Sequence, residues 1–306
     1  MTTDRQVVTG YRGAAGPAGR ARARAAATAV LGALKRCWRI VTISRSSMVG
    51  FGISALVLLD VAMGPLLEAY NPEKPDAALV LHAPSWAHPF GTDASGFDVL
   101  SRTMAAPRVD ITIALSATLL SIAVGAPVGV FSGYVRGRIG EAIVRLSDIV
   151  QSFPVFILAM ALVSLTGQNI ANLIFALAFL NTPIYLRLMR SQTLTVGRRT
   201  YVEASRTAGN STMRTIFRHV LPNSLTPVFV QASVTVGWSI LLVAGLSFVG
   251  AGVREPTPEW GLMISSASSS IITGQWWPSV FPGAAIAVSV LGFALVGVGL
   301  QQAYER

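Results

Sequence analysis

Six apolar runs, each long enough to cross about 30 Å of hydrocarbon, dominate this 306-residue chain and leave it few folds to adopt. They cover residues 49–67, 111–134, 149–166, 170–188, 226–250 and 280–300. Only 12% of the residues are charged and 52% are hydrophobic, with a mean hydropathy of +0.57, whereas soluble domains carry about 25% charged residues. The expected class is therefore all-α, a polytopic membrane protein of six transmembrane helices. Residues 48–306 make up the six-span domain, with external segments at 70–108 and 251–279 and a cytoplasmic loop at 190–225. Residues 1–47 form a basic arm ahead of it.

The formal net charge of +10 follows the membrane rather than a nucleic-acid surface. Lys and Arg are retained on the cytoplasmic side. With the N-terminus inside, nine precede the first run and three lie between the second and third. Seven more fall at the end of the fourth run and in the loop after it, and one in the tail, which places 20 of 24 inside. The external segments hold three, none and one, against six, none and two acidic residues. Both termini are thus expected in the cytoplasm. The arm is rich in Gly, Ala and Arg, yet the run after it exceeds a signal-peptide core and no small-residue cleavage site appears before Glu68-Ala69-Tyr70-Asn71-Pro72, so the first span is expected to be retained. Residues 20–39 carry Val30, Leu31 and Leu34 among basic residues. This stretch either lies as an interfacial helix on anionic lipid or is disordered up to about Ala25. The single cysteine, Cys37, permits no intrachain disulfide.

Several residues inside the spans stand out. Gly125, Gly129 and Gly133 leave one helix face bare for close packing by a neighbour. Pro127, Pro154 and Pro183 each delete a helical hydrogen bond and permit a kink. Asp60 is the only ionisable residue well inside an apolar run, which makes it a candidate for the transport path. Alternatively, its span slides to bring it to the outer interface. Gln231, Thr235 and Trp238 fall at i, i+4 and i+7 on one helix face. They either line a hydrated path for a polar solute or bond neighbouring helices.

The loop after the fourth run is the most legible cytoplasmic segment. Tyr201, Ala204, Ser205 and Ala208 form a stripe of mostly small residues, and Gly209 is a natural helix stop. Asn210 or Ser211 can cap a second helix whose apolar face, Ile216, Phe217, Val220 and Leu221, ends at Pro222. Two short helices joined at a glycine suit insertion into a groove on a partner protein. An amphipathic loop resting on the bilayer is the alternative. Glu203 lies one turn before Arg206 and pairs either with it or with a basic residue of a partner.

Catalysis by the chain itself finds no support. His82, His88 and His219 all lie in loops, no His-Glu-x-x-His pair exists, and there is no Gly-x-x-x-x-Gly-Lys-Ser/Thr loop to bind ATP. The external segment, with Glu73, Asp76, Asp93 and Asp98, is a candidate docking surface or lid. Trp86 and Phe90 point to packing there rather than free solvation.

Three motifs carry a family resemblance. Glu203, Ala204, Gly209, Leu221 and Pro222 stand in register with the pattern Glu-Ala-Ala, three residues, Gly, nine residues, Ile, one residue, Leu-Pro, which resembles the coupling loop of ABC importer permeases; Ser205 and His219 depart from it. The run Phe217 to Asn223 is similar to the variant of dipeptide, oligopeptide and nickel permeases. The external run His88-Pro89-Phe90-Gly91-Thr92-Asp93, with Gly96, Asp98 to Arg102 and Arg108, resembles the same group. So do Gly245 to Gly250, Pro256 to Gly261 and Pro282-Gly283. Phe97 stands where the group usually has Arg; Ala106, Pro107 and Asp110 replace its usual Gly, Ala and Ser; and its closing Asp-Pro-Arg is missing.

This resemblance, over residues 48–300, implies a C-type permease subunit of type I ABC importer architecture in a bacterial inner membrane. The partners it implies are a homologous second permease, two cytoplasmic ATPases that hold ATP and Mg, and an external peptide-binding protein. It implies no cofactor or metal on this chain. ATPase coupling is expected at Tyr201, Glu203, Ala204, Ser205, Arg206, Ala208, Gly209, Arg214, His219, Leu221 and Pro222. Asp60, Gln231, Thr235 and Trp238 are the candidates for the path. Asp93, Asp98, Glu259 and Trp260 are those for binding-protein contact. The expected cargo is a di- or oligopeptide; nickel or another small solute is the alternative within the family, and a passive channel the alternative outside it.

Overall fold

The computed structural model describes residues 38–135 and 137–305, apart from the side chain of Arg206. Most of the arm, including Val30, Leu31, Leu34 and Cys37, therefore lies outside the described residues. The helices run α1 (Arg45–Leu67), α2 (Val99–Ala105), α3 (Pro107–Val135), α4 (Arg138–Ser152), α5 (Val155–Thr166), α6 (Ile170–Val196), α7 (Thr200–Thr207) and α8 (Thr212–Thr215). A π turn (Ile216–Val220) leads to α9 (Leu221–Ser224), followed by α10 (Thr226–Phe248), α11 (Trp260–Ser266), α12 (Ser268–Ile272) and α13 (Trp277–Glu305). The described residues contain no strand, only a single antiparallel bridge between Thr92 and Asp98.

Five helices are long and apolar enough to cross a membrane as single elements: α1, α2 continued into α3, α6, α10 and α13. The third expected span, 149–166, is a different object. It comprises the end of α4 and the whole of α5, which meet at an angle of 89°. Pro154 is the physical cause, since it lacks an N–H and biases Phe153 away from helical geometry, and Phe153 indeed adopts φ −82°, ψ 140°. The 12 residues of α5 rise only about 18 Å, so that span is complete only as a broken pair. Pro183, by contrast, leaves α6 continuous.

The centre of the bundle is the pairing of α3 with α6. A Cβ at Gly125 would meet Tyr185 Cβ at 2.9 Å, one at Gly129 would meet Met189 Cβ at 2.9 Å, and one at Gly133 would meet Thr193 Cβ at 3.0 Å. The bare face read in the sequence is the groove that receives α6. Ser121 Oγ adds a bond across the pair to the Ala178 carbonyl at 3.1 Å. A second small-residue contact joins α1 to α13, with Gly50 beneath Leu295 and Gly292 against Ile53. Without a hydrophobic driving force between helices in lipid, this close approach of backbones is what holds them.

Beyond the bundle the two segments expected outside, 70–108 and 251–279, fold into one cap. Leu81 N–H donates to Asp93 O at 3.0 Å and Thr92 N–H to His82 O at 3.0 Å. Trp277 Nε1 donates to Thr92 O at 3.1 Å, and Phe90 stacks on Phe281 at 3.8 Å. Phe90 thus packs as expected, whereas Trp86 is fully exposed, a correction to its expected burial: no element of the described residues reaches over its loop.

Candidate functional site: elbow, broken helix and external cap

The elbow is built from short helices. Val196 at the end of α6, Val202 on α7 and Val220 in the π turn form one buried cluster, and each buried valine contributes about 1.5–3 kcal/mol. Gly209 ends α7 at φ +77°, a conformation that costs an L-residue about 1–2 kcal/mol. Asn210 N–H then reaches back to the Ser205 carbonyl at 3.2 Å, closing the helix end. Of the two expected caps, Ser211 starts α8, accepting Arg214 N–H at 3.4 Å.

Tyr201, Glu203, Ala204 and Ala208 are exposed along α7, as is Gly209 beyond it. Ser205 is not on that outer stripe. It is buried, with its hydroxyl 3.3 Å from Thr215 Oγ1 and accepting from Asn210 Nδ2 at 3.2 Å. It therefore fixes the elbow from inside. Arg214, Met213 and Phe217 are exposed beside the stripe, while His219 and Leu221 are half-buried. Pro222 does not end the second helix: the π turn widens just before it, Leu221 N–H bonding to the Ile216 carbonyl, and α9 runs on through it. A widened turn relieves the clash that a proline ring imposes on the preceding turn.

Along α10, Gln231 Nε2 donates to Thr235 Oγ1 at 3.3 Å, and Thr235 Oγ1 donates to the Gln231 carbonyl at 2.9 Å. The buried Tyr185 hydroxyl lies beside Thr235. Further along, the buried Asn181 donates from Nδ2 to Ser239 Oγ at 3.3 Å. Trp238 is half exposed and borders a cavity of about 370 Å³ at the bend between α4 and α5, together with Gln151 and Asn181. Sequence reasoning misses Gln151, Asn181, Tyr185 and Ser239. Their signal is an amide inside each of two apolar runs, one of them three residues before Pro154.

Asp60 sits elsewhere. Along α1, Asp60, Gly64 and Glu68 share one face, and Arg108 lies over it: its Nη2 is 3.0 Å from a Cβ built at Gly64, and it pairs with Glu68. Asp60 is within electrostatic reach of that guanidinium. The geometry favours the outer-interface reading of Asp60 over the path.

Three of the four residues expected to meet a binding protein are inside the cap. Asp98 is buried, caps α2 by accepting Ser101 N–H at 2.8 Å, and bonds His88 Nδ1 at 2.8 Å. Glu259 is buried and caps α11, accepting the N–H groups of Gly261 at 2.9 Å and Leu262 at 2.6 Å. Trp260 is buried, its indole donating to Thr103 O at 3.0 Å and its N–H to Asp110 Oδ2 at 3.2 Å. These residues hold the cap rather than present a surface, because each satisfies a backbone group that the fold would otherwise orphan. Asp93 is half-buried and accepts from Ser95 and Phe97 N–H at 2.9 Å each. Burial pushes its carboxyl above the usual range, opposed by those two N–H groups. His82 is exposed and His88 is taken by Asp98, so the two histidines do not converge as a metal pair.

An apolar bundle of long helices, one broken span and an exposed elbow describe a polytopic membrane protein. Residues 125–306 match the family described as "Binding-protein-dependent transport system inner membrane component", and the chain belongs to that family. It is 39% identical over 249 residues, 81% of its length and 83% of the relative's, to the probable D,D-dipeptide transport system permease protein DdpC of Escherichia coli K12. It is 36% identical over 278 residues, 89% and 91% of the two chains, to the di/tripeptide transport system permease protein DppC of Pseudomonas aeruginosa. The glutathione transport system permease protein GsiD of Pectobacterium atrosepticum is 34% identical over 259 residues, 84% of this chain and 86% of its own.

Proposed function

We propose that this chain is one of two homologous permease subunits of an ATP-driven importer of di- and oligopeptides, placed in a bacterial plasma membrane with both termini in the cytoplasm. The observation that carries the reading is the elbow: a rigid, three-valine hinge that holds the stripe Tyr201, Ala204 and Ala208 outward at the end of α6. ATP and Mg are held by two cytoplasmic ATPases. Their closure carries α7 with it, and α6, continuous with the elbow, transmits the movement to the bundle. Ligands shift such an equilibrium only through differential contact with its two states, so Glu203, Arg206, Arg214 and the stripe must meet the ATPase differently in each. An external binding protein delivers the cargo at the cap. The peptide cargo follows the relatives, which are named as dipeptide, di/tripeptide and glutathione transport permeases.

The test is reconstitution with the second permease, ATPases and binding protein in liposomes, measuring uptake of labelled di- to pentapeptides. Uptake that requires both ATP and binding protein is expected. Flux without ATP establishes a channel instead. ATP hydrolysis without peptide uptake removes the cargo assignment and makes nickel the next solute to try.

A further inference from the structure

The break between α4 and α5 opens onto a cavity of about 370 Å³ lined by Gln151, Phe153, Val155, Asn181, Ile184 and Trp238, within the range of small-ligand sites, about 300–1,000 Å³. Asn181 lies 11 residues from the start of α6 and Trp238 10 residues from the end of α10. At 1.5 Å per residue both stand about 15 Å from the outer helix ends, near the middle of the bilayer. Amide side chains at that depth are costly unless they face protein or a hydrated cavity, and interrupted backbone is tolerated there on the same condition. Here both occur on one wall. α5 begins at Val155, after Pro154, without a side-chain cap, so its first N–H groups and the last carbonyls of α4 have no helical partner. The wall they belong to carries Gln151. Opposite, Asn181 is 1% exposed and held by Ser239. The lining offers amide donors and acceptors, apolar surface and an indole, and none of its residues is ionisable.

We propose that this cavity is this chain's part of a cargo site that holds a peptide main chain during translocation, with Gln151 and Asn181 bonding backbone amides and Trp238 forming the side-chain wall. An uncharged, amide-bearing lining matches the N–H and C=O of a peptide bond and gives no anchor to a bare metal cation, which takes carboxylate, imidazole or thiolate. The assignment rests on the importer reading above and adds where the cargo sits.

The complete reconstituted importer, with trialanine as cargo, tests it. Gln151→Leu and Asn181→Leu are each expected to lower trialanine uptake about tenfold, the scale of one lost buried hydrogen-bond partner. ATP hydrolysis stimulated by the loaded binding protein should stay within about twofold, and Asn181→Gln should recover part of the uptake. Gln151→Cys in a Cys37→Ser background is expected to react with N-ethylmaleimide in at least one nucleotide state, because a cavity that passes a peptide must open to water. Wild-type uptake with both leucine variants equally active, or a Gln151→Cys thiol inert in every state, overturns the cargo site alone. A wild-type complex that hydrolyses ATP but moves no trialanine overturns the peptide reading of the whole chain.

Discussion

Two buried carboxyls meet where α3 enters the cap. Asp110 and Glu259 lie within electrostatic reach of one another and together receive three backbone N–H groups, those of Trp260, Gly261 and Leu262. Burial raises the Glu259 carboxyl above its usual range, outweighing the effects of Asp110, of the Gly261 and Leu262 N–H groups and of Ser247. An acid raised on folding holds a proton that the unfolded chain releases. Its contribution is fully present below the unfolded value, about 4.3, and is lost as pH rises through the folded one. The cap should therefore be firmer near pH 4.5 than at pH 7.5. Glu259→Gln keeps one of the two acceptors for the α11 N–H groups and removes the titration. Hydrogen exchange of the cap amides checks this: the wild type should slow on acidification more than the variant does, and equal pH responses would remove the pair as the cause. At Asp98 the argument is simpler. Asp98→Ala deletes the α2 cap and the partner of His88, and should cost about 1–2 kcal/mol of stability in thermal unfolding of the solubilised protein.

Among the elements, the groove of α3 makes the sharpest prediction. Gly129→Val places methyl groups where Met189 and the Leu186 carbonyl already sit, an overpacking that costs about 1–3 kcal/mol and should appear as loss of assembled protein. Gly209 is the opposite case. A Cβ there meets nothing within 4 Å, so Gly209→Asp strains only the backbone and should leave the bundle folded. Its expected effect is hydrolysis uncoupled from uptake, and full transport by an assembled variant would sink the coupling reading. Both glycines were legible in the sequence, because four-residue spacing and a helix stop are local signals. What the sequence hid was non-local. Ser205 shares the helical face of Ala204 and Ala208 by spacing, yet Thr215 on another helix turns that edge inward. Asp98, Glu259 and Trp260 read as surface because they are polar or aromatic in loops, and only the tertiary closure of the cap buries them. The apolar run 149–166 reads as one span, although Pro154 sits within it, since hydropathy is blind to direction.

At the scale of the whole molecule, α6 ties the cap to the elbow. Just before its start, Gln168 accepts from Arg254 Nε at 2.7 Å and donates to the Gly250 carbonyl at 2.6 Å, both in the cap. At its end, Val196 is packed into the elbow. Twenty-seven residues separate these attachments by about 40 Å, more than the hydrocarbon thickness, so cap and elbow stand on opposite faces of the membrane. A rigid element tied to both is what an elbow displacement needs in order to alter the cap. Charge supports the proposed orientation: the elbow side carries Arg190, Arg198, Arg199, Arg214 and Arg218, and such clusters are retained in the cytoplasm. Trp86, fully exposed on the cap, and Met213, 62% exposed at the elbow, are suitable reporters of that orientation. In a Cys37→Ser background, Trp86→Cys should react with a membrane-impermeant maleimide on intact cells. Met213→Cys should react only after permeabilisation. Labelling in the reverse pattern would invert the topology and place the elbow beyond the reach of any cytoplasmic ATPase, and labelling of both on intact cells would mean that α6 does not cross the bilayer at all.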